Sequence, residues 1–377
     1  MGFDNLALLA PEYCGQLVGG EAVQHALLGR ALARRGHDVS MVVADHGQAD
    51  GARWEGIRVF GSYRLDAGLP VLRFIHPRWT GMWSALKRAD ADLYYTSCAG
   101  MQVGLLALFC RRFGRRFVFR IASDTDCDGT RLLVPYARDR WLYAYGLRRA
   151  DTILVQSASQ AQALELNYGL ASRVAGMLVE EPLPAPERDV DVLWVSNIRR
   201  EKRPDRILML AEELPRVNIH MVGGVLRGEG ALFREIEHAT RAKSNVTFHG
   251  RLPYWDANKL YARAKLLVNT SDIEGFPNSY LQAWIRGVPV VTLIDPDGVI
   301  AREGLGVAVQ SPGEISGAVR RLLADRGAWE AASRRCRAYM EREYGDEKIL
   351  AAYLDTFEKV MRRPAARGII PSPVRHV

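Results

Sequence analysis

Short apolar runs alternate with stretches whose apolar positions recur at helical spacing, which predicts a repeated strand–helix order along most of the chain. Leu6–Ala10 reads as a short strand, then comes P-E-Y-C-G-Q-L-V-G-G and a helix from about Glu21 to Arg35. In that helix Val23, Leu27 and Ala31, with Leu28 and Leu32, form one apolar stripe. Gly36 ends it and Val39–Val43 is the next strand. Leu93–Thr96, Phe117–Ile121 and Thr152–Val155 are apolar almost throughout, as strands covered on both faces are. A second series begins at Val192–Ser196, with a helix from Pro204 to Leu214, strands Ile219–Val222 and Val246–His249, and a helix near Trp255–Ala264. The run Leu266–Val268 then opens into a polar loop. A helical pattern follows (Tyr280, Leu281, Trp284, Ile285), stops at Gly287, and gives way to the strand-like run Val288–Leu293. The remainder is helical over about 312–325, 328–343 and 346–361.

Between the two series lies E-E-P-L-P-A-P-E-R-D (180–189), whose three prolines continue neither a helix nor a central strand. With 377 residues, more than one usual core, the expected organisation is an α/β pair of Rossmann-like doubly wound domains. The first spans 1–182, the second 190–345, and 346–377 forms a C-terminal helix and basic tail. Composition is that of an ordinary globular protein, 48% hydrophobic and 25% charged, without an apolar segment near membrane-spanning length. The start lacks the pattern of a secretory signal, and the five cysteines are scattered and odd in number. A reducing cytoplasm fits, and a disulfide framework or zinc site does not.

The net charge of +8 suits anionic substrates, nucleic acid or an anionic membrane surface. Residues 71–150 hold 14 Lys or Arg against 6 Asp, which equals the whole excess. Within them, F-C-R-R-F-G-R-R-F (109–117) interleaves Arg111, Arg112, Arg115 and Arg116 with aromatic rings, and Arg73–Trp83 is similarly mixed. This is either a surface for anionic lipid, or a helix end and strand start with solvated arginines, or a platform that stacks bases.

Candidate chemistry concentrates in loops at the carboxyl ends of strands, where open α/β sheets bind ligands. In N-T-S-D-I-E-G-F-P-N-S-Y-L-Q-A-W-I-R-G (269–287), Asn278 or Ser279 can cap the following helix, whose first amides suit a phosphate. Gly275 allows a close backbone approach with positive φ. Glu274 fits a neutral, hydroxyl-bearing partner such as a sugar; as a bare spacing it also fits a solvated connector. Asn197, Arg199, Arg200, Lys202 and Arg203 form a basic loop after the first strand of the second series. Gly19 and Gly20 precede a helix without the dinucleotide fingerprint, and offer either a phosphate contact or simple flexibility. S-D-T-D-C-D (123–128) suggests a polar loop lining a sugar cleft rather than a cation site. Asp124 and Asp126 there are hydrogen-bond acceptors or a general base.

Taken together, G-G-E-A-V-Q-H-A-L-L-G-R-A-L-A-R-R-G-H-D-V (19–39), V-S-N-I-R-R-E-K-R-P-D (195–205), N-V-T-F-H-G-R-L (245–252) and E-G-F-P-N-S-Y-L-Q-A-W-I-R-G-V-P-V-V (274–291) resemble family 4 glycosyltransferases. The resemblance covers nearly the whole chain. It implies the GT-B architecture, two facing Rossmann-like domains with a C-terminal helix crossing back to the first. It also implies a retaining hexosyl transfer from a nucleotide sugar, with UDP- or GDP-sugar as donor and no metal. Lys202 would contact the donor diphosphate and Glu274 the sugar hydroxyls. The segment Gly275, Phe276, Pro277, Asn278 and Ser279 would hold sugar and phosphate, Gly20 the diphosphate, and Gly223 and Arg251 would lie near the base. The acceptor would be a saccharide or a lipid-linked saccharide in surface polysaccharide synthesis, the lipid being suggested by the basic, aromatic stretch of the first domain. The protein would be cytoplasmic and peripheral on the inner face of the membrane, with no nucleic-acid partner.

Three positions depart from the family pattern. The second of two glutamates spaced eight apart is Gln282, whose amide still hydrogen-bonds hydroxyls. The arginine five residues before the lysine is Asn197, with Arg199 or Arg200 as substitutes. The histidine after a first-domain strand is absent, with Ser123 or Asp124 nearby. Two alternatives stand beside the transferase: a GT-B nucleotide-sugar epimerase, which would carry a fuller set of acidic and histidine site residues, and a weakened scaffold that only binds, for which Gln282 is the main warrant.

Overall fold

Most of these apolar runs become strands and most helical patterns become helices in the computed structural model, which describes residues 5–13, 19–70, 72–182, 187–226 and 228–363. The middle of the proline-rich linker (183–186) and the basic tail from 364 onward therefore lie outside the described residues. The chain divides into two compact units. One comprises Met1–Ala10, Glu21–Ala175 and Leu350–Val377, the other Pro11–Gly20 and Gly176–Ile349.

In the first unit, Ser40–Val43 pairs in parallel with Ile57–Gly61, which pairs antiparallel with Arg53–Trp54. A separate four-stranded parallel sheet runs in the order Leu93–Ser97, Arg116–Arg120, Thr152–Val155, Arg173–Val174. Its core joins Phe117, Phe119 and Ile121 to Val103, Leu106 and Cys110 of helix Met101–Phe113 and to Tyr143 of helix Ala137–Leu147. Those two helices meet backbone to backbone. A Cβ on Gly104 would lie 2.4 Å from the Leu142 carbonyl oxygen, and one on Gly146 would lie 2.4 Å from that of Val103. Any side chain at either glycine forces the helices apart.

One expected strand is not a strand. Leu6–Leu9 is a helical turn, with Leu8 N–H on the Asn5 carbonyl and Ala10 N–H on that of Leu6. A run of five apolar residues buries equally well as one helical turn or as a strand, and its composition carries no period to separate them. Local i→i−3 and i→i−4 bonds satisfy its backbone, so this run joins no sheet.

The second unit is a six-stranded, wholly parallel sheet in the order Val246–Phe248, Ile219–Val222, Val190–Val195, Ala264–Asn269, Val290–Thr292, Gly306–Ala308. From Val190–Val195 the chain steps outward to one side; from Ala264–Asn269 it steps to the other. The loops that follow these two central strands thus mark the switch point, the place where open α/β sheets bind ligands at the carboxyl edge. Buried residues on both faces hold the sheet, among them Trp194, Ile207 and Leu266 on one side and Leu193, Leu267 and Trp284 on the other. The last helix, Asp346–Arg362, belongs from Leu350 onward to the first unit. There Asp355 pairs with Arg173 at 2.6 Å, and Tyr353 and Phe357 pack edge-on against Tyr95.

Candidate functional site

The two central strands of the second unit run side by side with Leu193 opposite Leu267, so the loops that leave them start level. They are then tied together. Thr270 Oγ donates to the Lys202 carbonyl at 2.8 Å and accepts from Trp194 Nε1 at 2.9 Å. Asp272 N–H bonds the Glu201 carbonyl at 2.8 Å, and Arg206 reaches both the Thr270 carbonyl and the Asp272 carboxylate at 2.7 Å. Arg203 takes the left-handed backbone conformation (φ 48°) that turns the loop into helix Asp205–Glu213.

Lys202 Nζ stands 2.7 Å from Glu274 Oε2, and both side chains are about 15% exposed (16% and 14%). The other carboxylate oxygen of Glu274 accepts from Ser271 Oγ at 2.7 Å and Asn269 Nδ2 at 3.1 Å. Three donors thus fix this carboxylate, the Lys202 ammonium among them. Arg199 stacks no such commitment: it pairs with Glu201 at 3.2 Å and is 40% exposed. Arg200 is exposed, without a side-chain partner among the described residues.

The neighbouring candidates fall at the same edge of the sheet. Gly223 ends strand Ile219–Val222, where a Cβ would come 2.2 Å from the Ser196 carbonyl, so a glycine is required by close approach of two backbones. Arg251 packs on Gly224 and reaches the Val225 carbonyl at 3.4 Å. Asn197 is half-buried beside them. Gly20, which groups with this unit, has its Cα so near Asn278 that a Cβ would sit 2.4 Å from Nδ2, whereas Gly19 has open space.

Two local expectations change around residue 275. Gly275 does not take positive φ. Helix Asn278–Trp284 starts after Pro277 with no side-chain cap, so neither Asn278 nor Ser279 plays that part. Pro277 itself supplies the φ that starts a helix and has no N–H to offer. Phe276 turns inward against Trp284 and Tyr344. Gln282 is buried, between Tyr254 and Arg286.

In the first unit Asp124 is exposed and accepts from Gln160 Nε2 at 2.9 Å. Asp126, its neighbour in the same loop, is buried. Its Oδ2 accepts the N–H groups of Ala122 and Ser123 at 3.2 Å, and with Ser123 it forms a capping box on turn Asp124–Cys127. Burial raises its pKa to about 6 although those N–H groups pull the other way. Asp126 is thus structural, and among the described residues no group of three or more His, Cys, Asp or Glu is placed to hold a metal ion.

Sequence reasoning missed a polar cluster at the carboxyl ends of strands Leu93–Ser97 and Arg116–Arg120. His25 Nε2 lies 3.2 Å from Ser97 Oγ, and burial, with Arg120 adding to it, holds the imidazole well below its ordinary pKa. Arg120 is 2% exposed; Tyr95 bonds it, yet its Nε and Nη2 have no partner among the described residues. Cys98, next to Ser97, is held at φ 63°, a strained conformation for a residue with a side chain. The only signal in the sequence is polar residues at the ends of apolar runs.

The four arginines expected to form a lipid-facing patch divide into two pairs. Arg111 and Arg112 are exposed in the last turn of helix Met101–Phe113, which Gly114 ends in the left-handed conformation. Arg115 instead pairs with Asp90 at 2.6 Å and Asp92 at 2.9 Å. Arg116 pairs with Asp151 at 3.0 Å and bonds the Arg363 carbonyl. No described helix is long and apolar enough to cross a membrane.

Residues 19–176 match the family model described as glycosyl transferase 4-like domain, and residues 189–325 match that of glycosyl transferases group 1. This chain belongs to the family 4 type glycosyltransferases. No curated protein sequence matches it. Among solved structures it is similar to sucrose-phosphate synthase from Thermosynechococcus elongatus, at 20% identity over 91% of this chain and 94% of that one, with a TM-score of 0.73. HepE from Anabaena in complex with UDP-glucose is similar at 14% identity over 91% and 97%, TM-score 0.72. A glycosyltransferase from Rickettsia africae matches at 13% over 92% and 97%, TM-score 0.69. At these identities the likeness establishes the fold, which is GT-B.

Proposed function

We propose that this glycosyltransferase moves a hexose-type unit from a UDP- or GDP-sugar to a saccharide acceptor with retention of anomeric configuration and without a metal. The observation that carries the reading is the 2.7 Å Lys202–Glu274 pair on the loops that follow the two central strands. It brings a cation for the leaving diphosphate and a carboxylate for sugar hydroxyls to one place. In the reaction the bond from the anomeric carbon to the phosphate oxygen breaks, and the bond to the acceptor oxygen forms on the same face. The acceptor's proton passes to the departing phosphate oxygen, and a nucleoside diphosphate leaves. Lys202, with Arg199 or Arg200, stabilises the charge that develops on that phosphate. Gly20 and the 275–279 segment contact the donor, Gly223 and Arg251 lie near the base, and Asp124 accepts a hydrogen bond from the acceptor saccharide. That HepE of Anabaena is described with UDP-glucose supports the donor class.

The acceptor is lipid-linked in this reading, and the first unit meets an anionic membrane. Leu69, Leu72 and Ile75 are 69%, 57% and 62% exposed, and Trp141 is 64% exposed. Arg138, stacked on Phe74 at 3.3 Å, joins the two segments that carry them. Such an apolar, basic surface suits a bilayer interface, with Arg111 and Arg112 as further contacts.

A thermal-shift screen of UDP, GDP and their sugars tests the donor. A ligand at a hundred times its Kd adds about 2.7 kcal/mol of stability. Turnover is then followed with lipid extracts as acceptor. Epimerised donor without any acceptor would replace the reading with an epimerase, and no shift with any of these nucleotides would refute it.

A further inference from the structure

Strand Val246–Phe248 is the outermost of the second unit's sheet, and among the described residues it pairs only with Ile219–Val222. Past its end two more bonds continue the pairing. His249 N–H reaches the Met221 carbonyl at 2.9 Å, and Gly223 N–H reaches the Gly250 carbonyl at 2.8 Å. Across the same two strands His249 Nε2 lies 3.0 Å from His220 Nδ1. Two neutral imidazoles make this contact with one ring donating and the other accepting. One added proton preserves it, because an imidazolium still donates to a neutral ring. A second proton sets two donors and two positive charges face to face. The surroundings oppose those charges. His220 is 8% exposed. Burial lowers its pKa, His249 and Arg263 add to the effect, and Asp189 opposes it; burial and then Arg263 lower that of His249. Arg263 ends helix Tyr254–Arg263, and Asp189 precedes strand Val190–Val195. These two are the charged groups that face the pair among the described residues. Asp189 already accepts from Arg263 Nε at 2.7 Å, so that carboxylate is shared with another cation.

We propose that the His220–His249 pair is a proton-operated latch on this edge strand, closed at neutral pH and released in acid, and that its release frees the Gly250–Arg251 turn. Opening hydrates both rings and takes up one or two protons. The open form therefore gains between about tenfold and a hundredfold in population for each pH unit below the ordinary 6.5. Gly250 stands in the left-handed conformation next to His249 and is bonded to Gly223, so a strand end that parts here carries the turn with it. The latch thereby regulates nucleotide binding, a consequence that rests on the placing of Arg251 near the base.

The test is amide hydrogen exchange of the full chain, read by mass spectrometry over peptides covering 219–223 and 246–251 from about pH 7.5 to 5 and corrected for the intrinsic rate at each pH. In the unaltered protein the protection of these segments falls about tenfold or more per unit below 6.5. His220→Gln and His249→Gln each keep one titrating ring and show a shallower fall; the double variant shows none. Should the double variant fail to fold, the two single slopes carry the comparison. Slopes in the variants as steep as in the unaltered protein overturn the latch, and so does protection in the unaltered protein that ignores pH. Calorimetric binding of UDP and GDP at about pH 7.5 and 5.5, taken relative to the double variant at the same pH, reads the consequence. The unaltered protein loses about tenfold in relative affinity on acidification. Acid opening with unchanged relative affinity upholds the latch and overturns the placing of Arg251. A protein that binds neither nucleotide at either pH overturns the site reading, and the exchange slopes alone then decide the latch.

Discussion

At the carboxyl edge of the second unit's sheet, charges are matched: Lys202 has Glu274, Arg206 has Asp272, and Arg203 has Asp205 and Asp272. At the corresponding edge of the first unit they are not. Among the described residues Arg120 has only the Tyr95 hydroxyl, with Nε and Nη2 bonding nothing; burial keeps His25 neutral 3.8 Å from the Glu21 carboxylate; and burial raises Asp126 to about 6. The contrast separates two ways to build a polar site. Matched charges on crossing loops are stable before any ligand arrives, and a ligand has to displace one partner. Unmatched groups under helices are costly in the empty protein, and their arrangement is held by packing.

Breaking the matched side produces the largest effects. Glu274→Ala and Lys202→Ala are each expected to lower donor turnover about a hundredfold or more, the scale of losing one charge-stabilising contact in a transition state. Quench-flow or steady-state release of nucleoside diphosphate reads this directly, and near-normal turnover in either variant would remove that residue from the chemistry. Lys202→Met also strands the Glu274 carboxylate, which is only 14% exposed. A loss of about 1–3 kcal/mol in denaturant unfolding follows.

The unmatched side responds less. Arg120→Met deletes a buried charge whose Nε and Nη2 bond nothing described, and the methionine fills a similar volume. Unfolding free energy is expected to change by no more than about 1 kcal/mol, because relief of the buried charge offsets the lost bond to Tyr95. A drop as large as that of Lys202→Met would show that Arg120 is satisfied by partners after all, and the contrast between the units would disappear.

How far the sequence reached follows from where each group sits. Lys202 and Glu274 each stand in a loop that follows an apolar run, and turn residues mark both loops, so the sequence singled out both residues; their 2.7 Å pairing with each other is visible only in the structure. The six parallel strands of the second unit were legible except Gly306–Ala308, which is short and begins with glycine. His25 and Ser97 are as far apart, yet neither stands in a loop motif: one is on a helix face, the other at a strand end. Periodicity says which face is buried but not which polar residue opposes it across two elements. Leu6–Ala10 shows the same boundary from the apolar side, as does the division of Arg111–Arg116 into exposed and paired residues. Charge runs predict a basic stretch; only the neighbouring strands and turns supply Asp90, Asp92 and Asp151.

The two unmatched titrating groups can be separated by pH. Asp126 has a folded pKa of about 6 against an ordinary 3.8, so the native state binds more protons between these values. Its contribution to stability therefore grows as pH falls from about 6 toward 4. His25 works in reverse: its folded pKa is below the ordinary 6.5, so the unfolded chain takes the proton first and stability falls below that pH. Asp126→Asn keeps an oxygen for the two backbone N–H groups and removes only the first effect. Urea unfolding at pH 7.5, 6 and 5 should show the variant losing more stability on acidification than the unaltered protein. Parallel curves would mean that Asp126 is ionised in the folded state across the range.

The smallest effect is expected where the pairing is matched but wet. Arg115 is 30% exposed, and its partners Asp90 and Asp92 are 74% and 79% exposed, so water competes with each contact and salt screens it. Arg115→Gln should cost about 0–1 kcal/mol, shrinking further at high ionic strength. Arg111→Gln and Arg112→Gln, on solvated side chains of the preceding turn, should leave unfolding unchanged and alter only binding to anionic vesicles. If Arg115→Gln released the protein from those vesicles as strongly as the Arg111 and Arg112 changes did, while leaving stability intact, its two aspartate contacts would not hold it in solution. The four arginines would then act as one surface rather than two pairs.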